Sequence, residues 1–228
     1  MCRVIQRITQ HKRFVPYDTP HFLLRKNFFY AQNVQRNTKE VRKTMEQIKP
    51  KPLPKRGKLM LWLIMLSLAA IWTLAIHVYL TLPSQVSVHF GFSGEPTRYG
   101  EKSAFLIIPI TFSIAPIIIL LVTKYRFTLI NKHPYLMNLP AFFTYITKIP
   151  KDRRSLWVNR YFEAVLTLGV FLTFSLLIIE YGIYLGEVSG KLPLWFMPLT
   201  LSMPLWLIIP FLIYLRKLSQ EIEIEVEN

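Results

Sequence analysis

Four stretches of the chain are apolar almost without interruption, and apart from Glu163 and Glu180 in the third the charged residues lie outside them. The first runs from Leu59 to Leu82 as LMLWLIMLSLAAIWTLAIHVYLTL, and the second from Ala104 to Val122 as AFLIIPITFSIAPIIILLV. The third covers roughly 161–184 and the fourth roughly 192–215. Each meets the requirement of about 20 apolar residues for crossing a bilayer. In lipid every backbone polar group needs an internal partner, so such runs are helices. Membrane-barrel strands alternate apolar and polar residues, and these runs do not. The expectation is an all-α integral membrane protein, a four-helix bundle. Between the first two helices the pattern changes to a period of two. Val86-Ser87-Val88-His89-Phe90 alternates, which predicts a half-buried strand with Val86, Val88 and Phe90 on the helix side and Ser87 and His89 facing away. Gly91, Gly94 and Pro96 then predict a turn, and Thr97 to Gly100 a returning strand. Residues 83–103 are thus expected to form a small β-hairpin-like cap outside the cytoplasm.

Charge adds the orientation. The chain holds 28 Lys and Arg against 13 Asp and Glu. Of the 28, all but Arg98, Lys102 and Lys191 lie before Leu59, in the central loop 124–160, or after Leu215. The positive-inside rule places both termini and the central loop in the cytoplasm, and the cap outside. The basic excess therefore reads as topology and attraction to anionic lipid. It does not imply nucleic-acid binding, because no basic–aromatic recognition module is visible. The one cysteine, Cys2, rules out an intramolecular disulfide.

Residues 1–58 are basic and are expected to be disordered or interfacial, ending in the Pro/Lys linker KPKPLPKRGK. Met45 is an alternative start, with residues 1–44 either an early-start artefact or a lipid-surface arm. The central loop carries Pro134, Pro140 and Pro150 and is expected to hold an interfacial or short strand-like element. The third helix is expected to begin early, in RRSLWVNRYF, with Trp157 and Tyr161 at the head groups. Residues 216–228 read as an acidic tail. Pro109 and Pro116 lie on one face of the second helix, and Pro193, Pro198, Pro204 and Pro210 punctuate the fourth. Proline is frequent in membrane helices, where neighbours re-satisfy the freed carbonyls.

No metalloprotease, Walker, dinucleotide or nucleophile-elbow pattern is present, so no catalytic residue, cofactor or metal is expected. Intramembrane ionisable groups are costly and mark function by default. Glu163 has Arg160 three residues earlier, and the spacing predicts an ion pair. His77 and Glu180 both lie near the outer end of their helices, and a polar pair between them is one reading. Separate snorkelling beside Tyr79 and Tyr181 is the other. His77, His89 and Glu180 are also suitable metal ligands in type, but their spacing is uninformative.

The segment LPSQVSVHFGFSGEPTRYGEK resembles the hallmark of the domain-of-unknown-function 1648 family of bacterial and archaeal membrane proteins. Leu82, Pro83, Val86, His89, Phe90, Gly94, Pro96, Gly100 and Lys102 match its pattern. Ser87 stands where the family usually has proline, Thr97 where aspartate is frequent, and Glu101 where serine is common. Weaker similarity continues through INKHPYLMNLP. The same domain occurs in SdpI-like immunity proteins, which guard a cell against a secreted toxic peptide; the further membrane region of those proteins is not matched here. The expectation is a non-enzymatic binding or immunity-signalling-type protein whose outer loop recognises a peptide or protein ligand. The alternative is a small transporter or transporter accessory subunit, which with four helices requires a homo-oligomer.

Overall fold

The computed structural model describes residues 48–134 and 137–227, which belong to one compact unit. Residues 1–44, with the alternative start and the surface arm, lie outside the described residues. Among those described, four helices are long and apolar enough to cross a membrane. The helix α1 spans Lys55–Thr81. It stops at Leu82, whose N–H bonds Val78 O at 2.9 Å and whose extended backbone is what the following Pro83 imposes. The strands β1 (Gln85–Phe90) and β2 (Pro96–Glu101) pair antiparallel, and a 3₁₀ turn at Lys102–Leu106 leads into α2 (Ile107–Lys124). Two short helices follow, α3 (Arg126–Lys132) and α4 (Pro140–Thr144). The long helices α5 (Lys151–Ser189) and α6 (Phe196–Glu227) complete the chain.

Helix α5 is the axis of the bundle and packs against α1, α2 and α6. A Cβ added at Gly169 would lie 2.9 Å from Ile64 of α1 and 3.0 Å from Ile119 of α2, so the glycine admits both neighbours at one level. The remaining faces of the spans carry exposed leucine, isoleucine and tryptophan, among them Trp62, Leu66, Ile118, Leu201 and Ile213. A bundle this apolar on its outside is suited to lipid, not water.

At 1.5 Å per residue α5 is about 58 Å long and α6 about 48 Å, well beyond a hydrocarbon core of about 30 Å. The surplus lies at the end away from the cap. There the start of α5 and the end of α6 join α3 and α4 in a second core of Ile130, Leu139, Phe142, Ile146, Ile149, Trp157, Leu218 and Ile222, all buried. Several expectations change. The central loop holds two short helices and no strand among its described residues, because Pro140 starts a helix and Pro150 caps one. Trp157 and Tyr161 face protein, not head groups; the Tyr161 hydroxyl accepts the Asn138 N–H at 3.2 Å. The acidic segment after Leu215 continues α6, where Glu221 bonds Arg160 at 2.6 Å. Arg160 thus pairs across the helix interface and not with Glu163. Arg153 Nε lies 3.0 Å from Glu225 Oε1, an ion pair whose angle falls outside hydrogen-bond geometry.

The Pro/Lys linker is also more than a spacer. Asn131 takes both backbone groups of Ile48, accepting its N–H at 3.0 Å and donating to its carbonyl at 3.1 Å. Asn159 Nδ2 bonds Pro52 O at 2.9 Å. The buried Arg126 donates to Asn159 Oδ1, Thr123 O and Lys51 O. Prolines cannot donate to a sheet, so side-chain amides and a guanidinium satisfy the strap's carbonyls instead. Burial pushes the Arg126 guanidinium below its usual pKa, and three oxygen acceptors offset that desolvation.

Candidate functional site

The cap is built from both loops at its end of the bundle. The Leu192 N–H bonds Gly94 O at 2.9 Å, Lys191 Nζ lies 2.8 Å from Glu95, and both oxygens of Glu187 accept the Ser87 N–H at 2.9 and 3.0 Å. The hairpin is thereby tied to the turn between α5 and α6. Gly94 sits at φ +84° with a Leu192 atom 3.3 Å from where a Cβ would be, so the tip needs glycine for conformation and for space. Phe90 lies over Gly186 of α5, with ring carbons 3.3 Å from a Cβ there.

Each family-pattern residue has a place in this arrangement. Leu82 and Pro83 end α1. Val86 is 1% exposed and anchors β1. Pro96 opens β2 opposite Phe90. Gly100 leaves room for Val88, whose methyl would be 2.8 Å from a Cβ. Lys102 closes the hairpin by donating its N–H to Ser84 O at 3.0 Å, and its ammonium lies 4.9 Å from the centre of the Tyr79 ring. His89 Nδ1 lies 2.5 Å from Thr97 Oγ1, and that hydroxyl is 3.2 Å from His89 O. The position where the family pattern often has aspartate is therefore the one that meets His89.

The strict alternation expected of β1 does not hold. Val86 and Ser87 are both buried, and the register shifts between Ser87 and His89 and again between His89 and Phe90. Val88 is the extra residue on β1 and Thr97 the compensating one on β2. Glu187 holds the Ser87 N–H, so Ser87 is drawn towards α5 and the strand bulges after it. His89 is exposed, as its place in the pattern suggests, and borders the cavity at the hairpin.

Beneath the hairpin lies a cavity of about 690 Å³. Phe105, Ile108, Ile183, Phe196 and Met197 supply apolar walls, and Ser87, His89 and Arg98 the polar ones. Among the described residues the Arg98 guanidinium has no hydrogen-bond partner or ion pair. The size lies within the roughly 300–1,000 Å³ of ligand pockets, and the mixture of apolar walls with few polar groups is theirs too.

His77 and Glu180 do not pair. The His77 ring meets Tyr184 edge-on at 6.2 Å between centroids and is exposed on α1. Glu180 is fully buried, and neither oxygen has a hydrogen-bond partner among the described residues. With His89 committed to Thr97, these three are not gathered as a ligand group.

The domain of unknown function DUF1648 matches residues 65–112, which run from within α1 through the hairpin into the first third of α2. An uncharacterised protein of Archaeoglobus fulgidus is 44% identical over 182 residues, covering 78% of this chain and 98% of that protein. The chain belongs to the DUF1648 family. No solved structure matches it. The family match centres on the hairpin and the adjoining parts of α1 and α2, whereas Glu187, Leu192 and Ile183 complete the cap from outside the matched region. Sequence reading did not single out those three. Glu187 is the acidic residue closest to the α5–α6 turn, and that position was the available signal.

Proposed function

We propose that this protein is a non-enzymatic receptor-type component of the cell membrane whose cap binds a peptide or protein segment. The cavity under the hairpin carries this reading. Its apolar walls suit a hydrophobic side chain or helix face, and Arg98 with the outward edge of His89 suits a carboxylate on the same ligand. The basic excess of the linker and central loop orients the cap outward and both termini to the cytoplasm, where the strap and the α3–α4 layer are available to a signalling partner.

The test uses the protein in lipid nanodiscs with fluorescein-labelled amphipathic peptides bearing a free carboxylate. Saturable binding is expected to be lost when Ile108→Trp fills the cavity and weakened several-fold by Arg98→Gln. Equal binding by all three proteins overturns the reading. His89 separates fold from recognition. His89→Gln retains a donor to Thr97 and should melt like the natural chain, whereas His89→Ala should cost about 1 kcal/mol. If both substitutions abolish binding with melting unchanged, His89 contacts the ligand directly.

A further inference from the structure

The burial of Glu180 has no structural compensation among the described residues. It occupies the face of α5 that bears Gly169, Thr173 and Glu187. At Gly169 that face touches Ile64 of α1 and Ile119 of α2. At Glu187 it reaches Ser87 of β1. Glu180 lies between, seven residues after Thr173 and seven before Glu187, inside the helix junction and below the hairpin. An ionised carboxylate there would be both desolvated and unpaired, which is strongly unfavourable. The neutral acid removes the charge and most of that cost.

No cationic side chain of the surrounding elements pairs with Glu180 among the described residues. Helix α1 presents His77, held edge-on to Tyr184 at its exposed surface, and Tyr79, which lies under Lys102. Helix α2 has no ionisable side chain from Ile107 to Thr123, and α6 has none from Phe196 to Ile213. On α5 the nearest are Tyr181, Tyr184 and Glu187, the last engaged by Ser87. His89 and Arg98 line the cavity above.

Along the helix axis the route to solvent is short in one direction only. Ile183, a single helical turn from Glu180, lines the cap cavity. Towards the other end, α5 continues for about 43 Å to Lys151 at 1.5 Å per residue. We propose that Glu180 is a proton-binding site beneath the cap, holding its proton as the neutral acid and exchanging it through the cap cavity past Ile183. The site goes beyond ligand recognition, since it makes the helix junction under the cap responsive to protons arriving from the cap side.

The test reads the protein in lipid vesicles by infrared spectroscopy, with isotopically labelled glutamate carboxyls. At neutral pH the intact chain should show a protonated-carboxyl band that shifts with the label. Glu180→Gln should remove it and His89→Gln should keep it. Glu180→Asp, which retains an unlabelled acid at the same place, should remove the isotope shift but not the acid band, and it serves if the Gln variant does not fold. On transfer to deuterated buffer, Ile183→Trp should slow the exchange of this band several-fold. Absence of the band in the labelled intact chain, or its persistence in Glu180→Gln, overturns the proton site. An exchange rate unchanged by Ile183→Trp overturns the route. None of these readouts involves peptide binding, so failure here and failure of the receptor reading are distinguishable.

Discussion

At the residue scale, two glycines with left-handed backbones make different demands. Gly94 has φ +84° and Leu192 within 3.4 Å of a would-be Cβ, through both side-chain and backbone atoms. Gly190, which ends α5, has φ +72° and nothing within 4 Å. Alanine at either site incurs the left-handed cost of about 1–2 kcal/mol. Asparagine visits that region more readily and is a natural helix C-cap. Gly190→Asn should therefore restore nearly the full melting temperature, while Gly94→Asn should not, because the side chain meets the Leu192 backbone that donates to Gly94 O. Thermal melting of the four variants checks this; equal rescue at both sites would show that Leu192 yields easily and that crowding is no part of the role of Gly94.

At the element scale, the hairpin is held to α5 and α6 by contacts of unequal strength. The Lys191–Glu95 pair is about half exposed on both sides, so it contributes at most about 1 kcal/mol. The Glu187 carboxylate accepts a backbone N–H in a part-buried setting, and such charge-assisted bonds contribute about 1.5–3 kcal/mol. Glu187→Ala should raise amide exchange throughout 85–90 and lower the melting temperature, whereas Lys191→Ala should change little; the opposite ranking would place the main clamp at the hairpin tip. The same contrast explains what was legible in the sequence. Four spans and the hairpin were readable because hydrophobic length and period-two alternation act locally. The bulge at Val88 was not, because its cause, Glu187, is 100 residues from Ser87. The extension of α6 to Glu227 was obscured because polar helical surface away from lipid resembles loop, whereas the early start of α5 was legible in RRSLWVNRYF. The strap at 48–54 was hidden because its partners are single side chains, Asn131, Arg126 and Asn159, with no periodic signature. At the candidate site the motif residues were visible, but the cavity depends on Ile183, Phe196 and Met197 from helices that the motif does not include.

At the scale of the whole molecule, the bundle has two unlike ends. One carries the hairpin and the α5–α6 turn, with Arg98, Lys102 and Lys191 as its Lys and Arg residues; the other carries the strap, α3, α4 and the helical extensions, with most of the remaining basic residues. Retaining positive charge on the cytoplasmic side then predicts which end faces out. Thiol labelling tests it once Cys2, the one native cysteine, is replaced. Ser93 and Ser189 are exposed at the cap end and suit single cysteines, whereas Ser155 is 1% exposed and would be silent on either side. Gln220, exposed on the extension of α6, is the better reporter for the opposite end. In intact cells a membrane-impermeant reagent should modify cysteines at 93 and 189, and should reach 220 only after permeabilisation. Labelling at 220 alone would invert the protein, turn the cap and its cavity towards the cytoplasm, and direct the search for a ligand inside the cell.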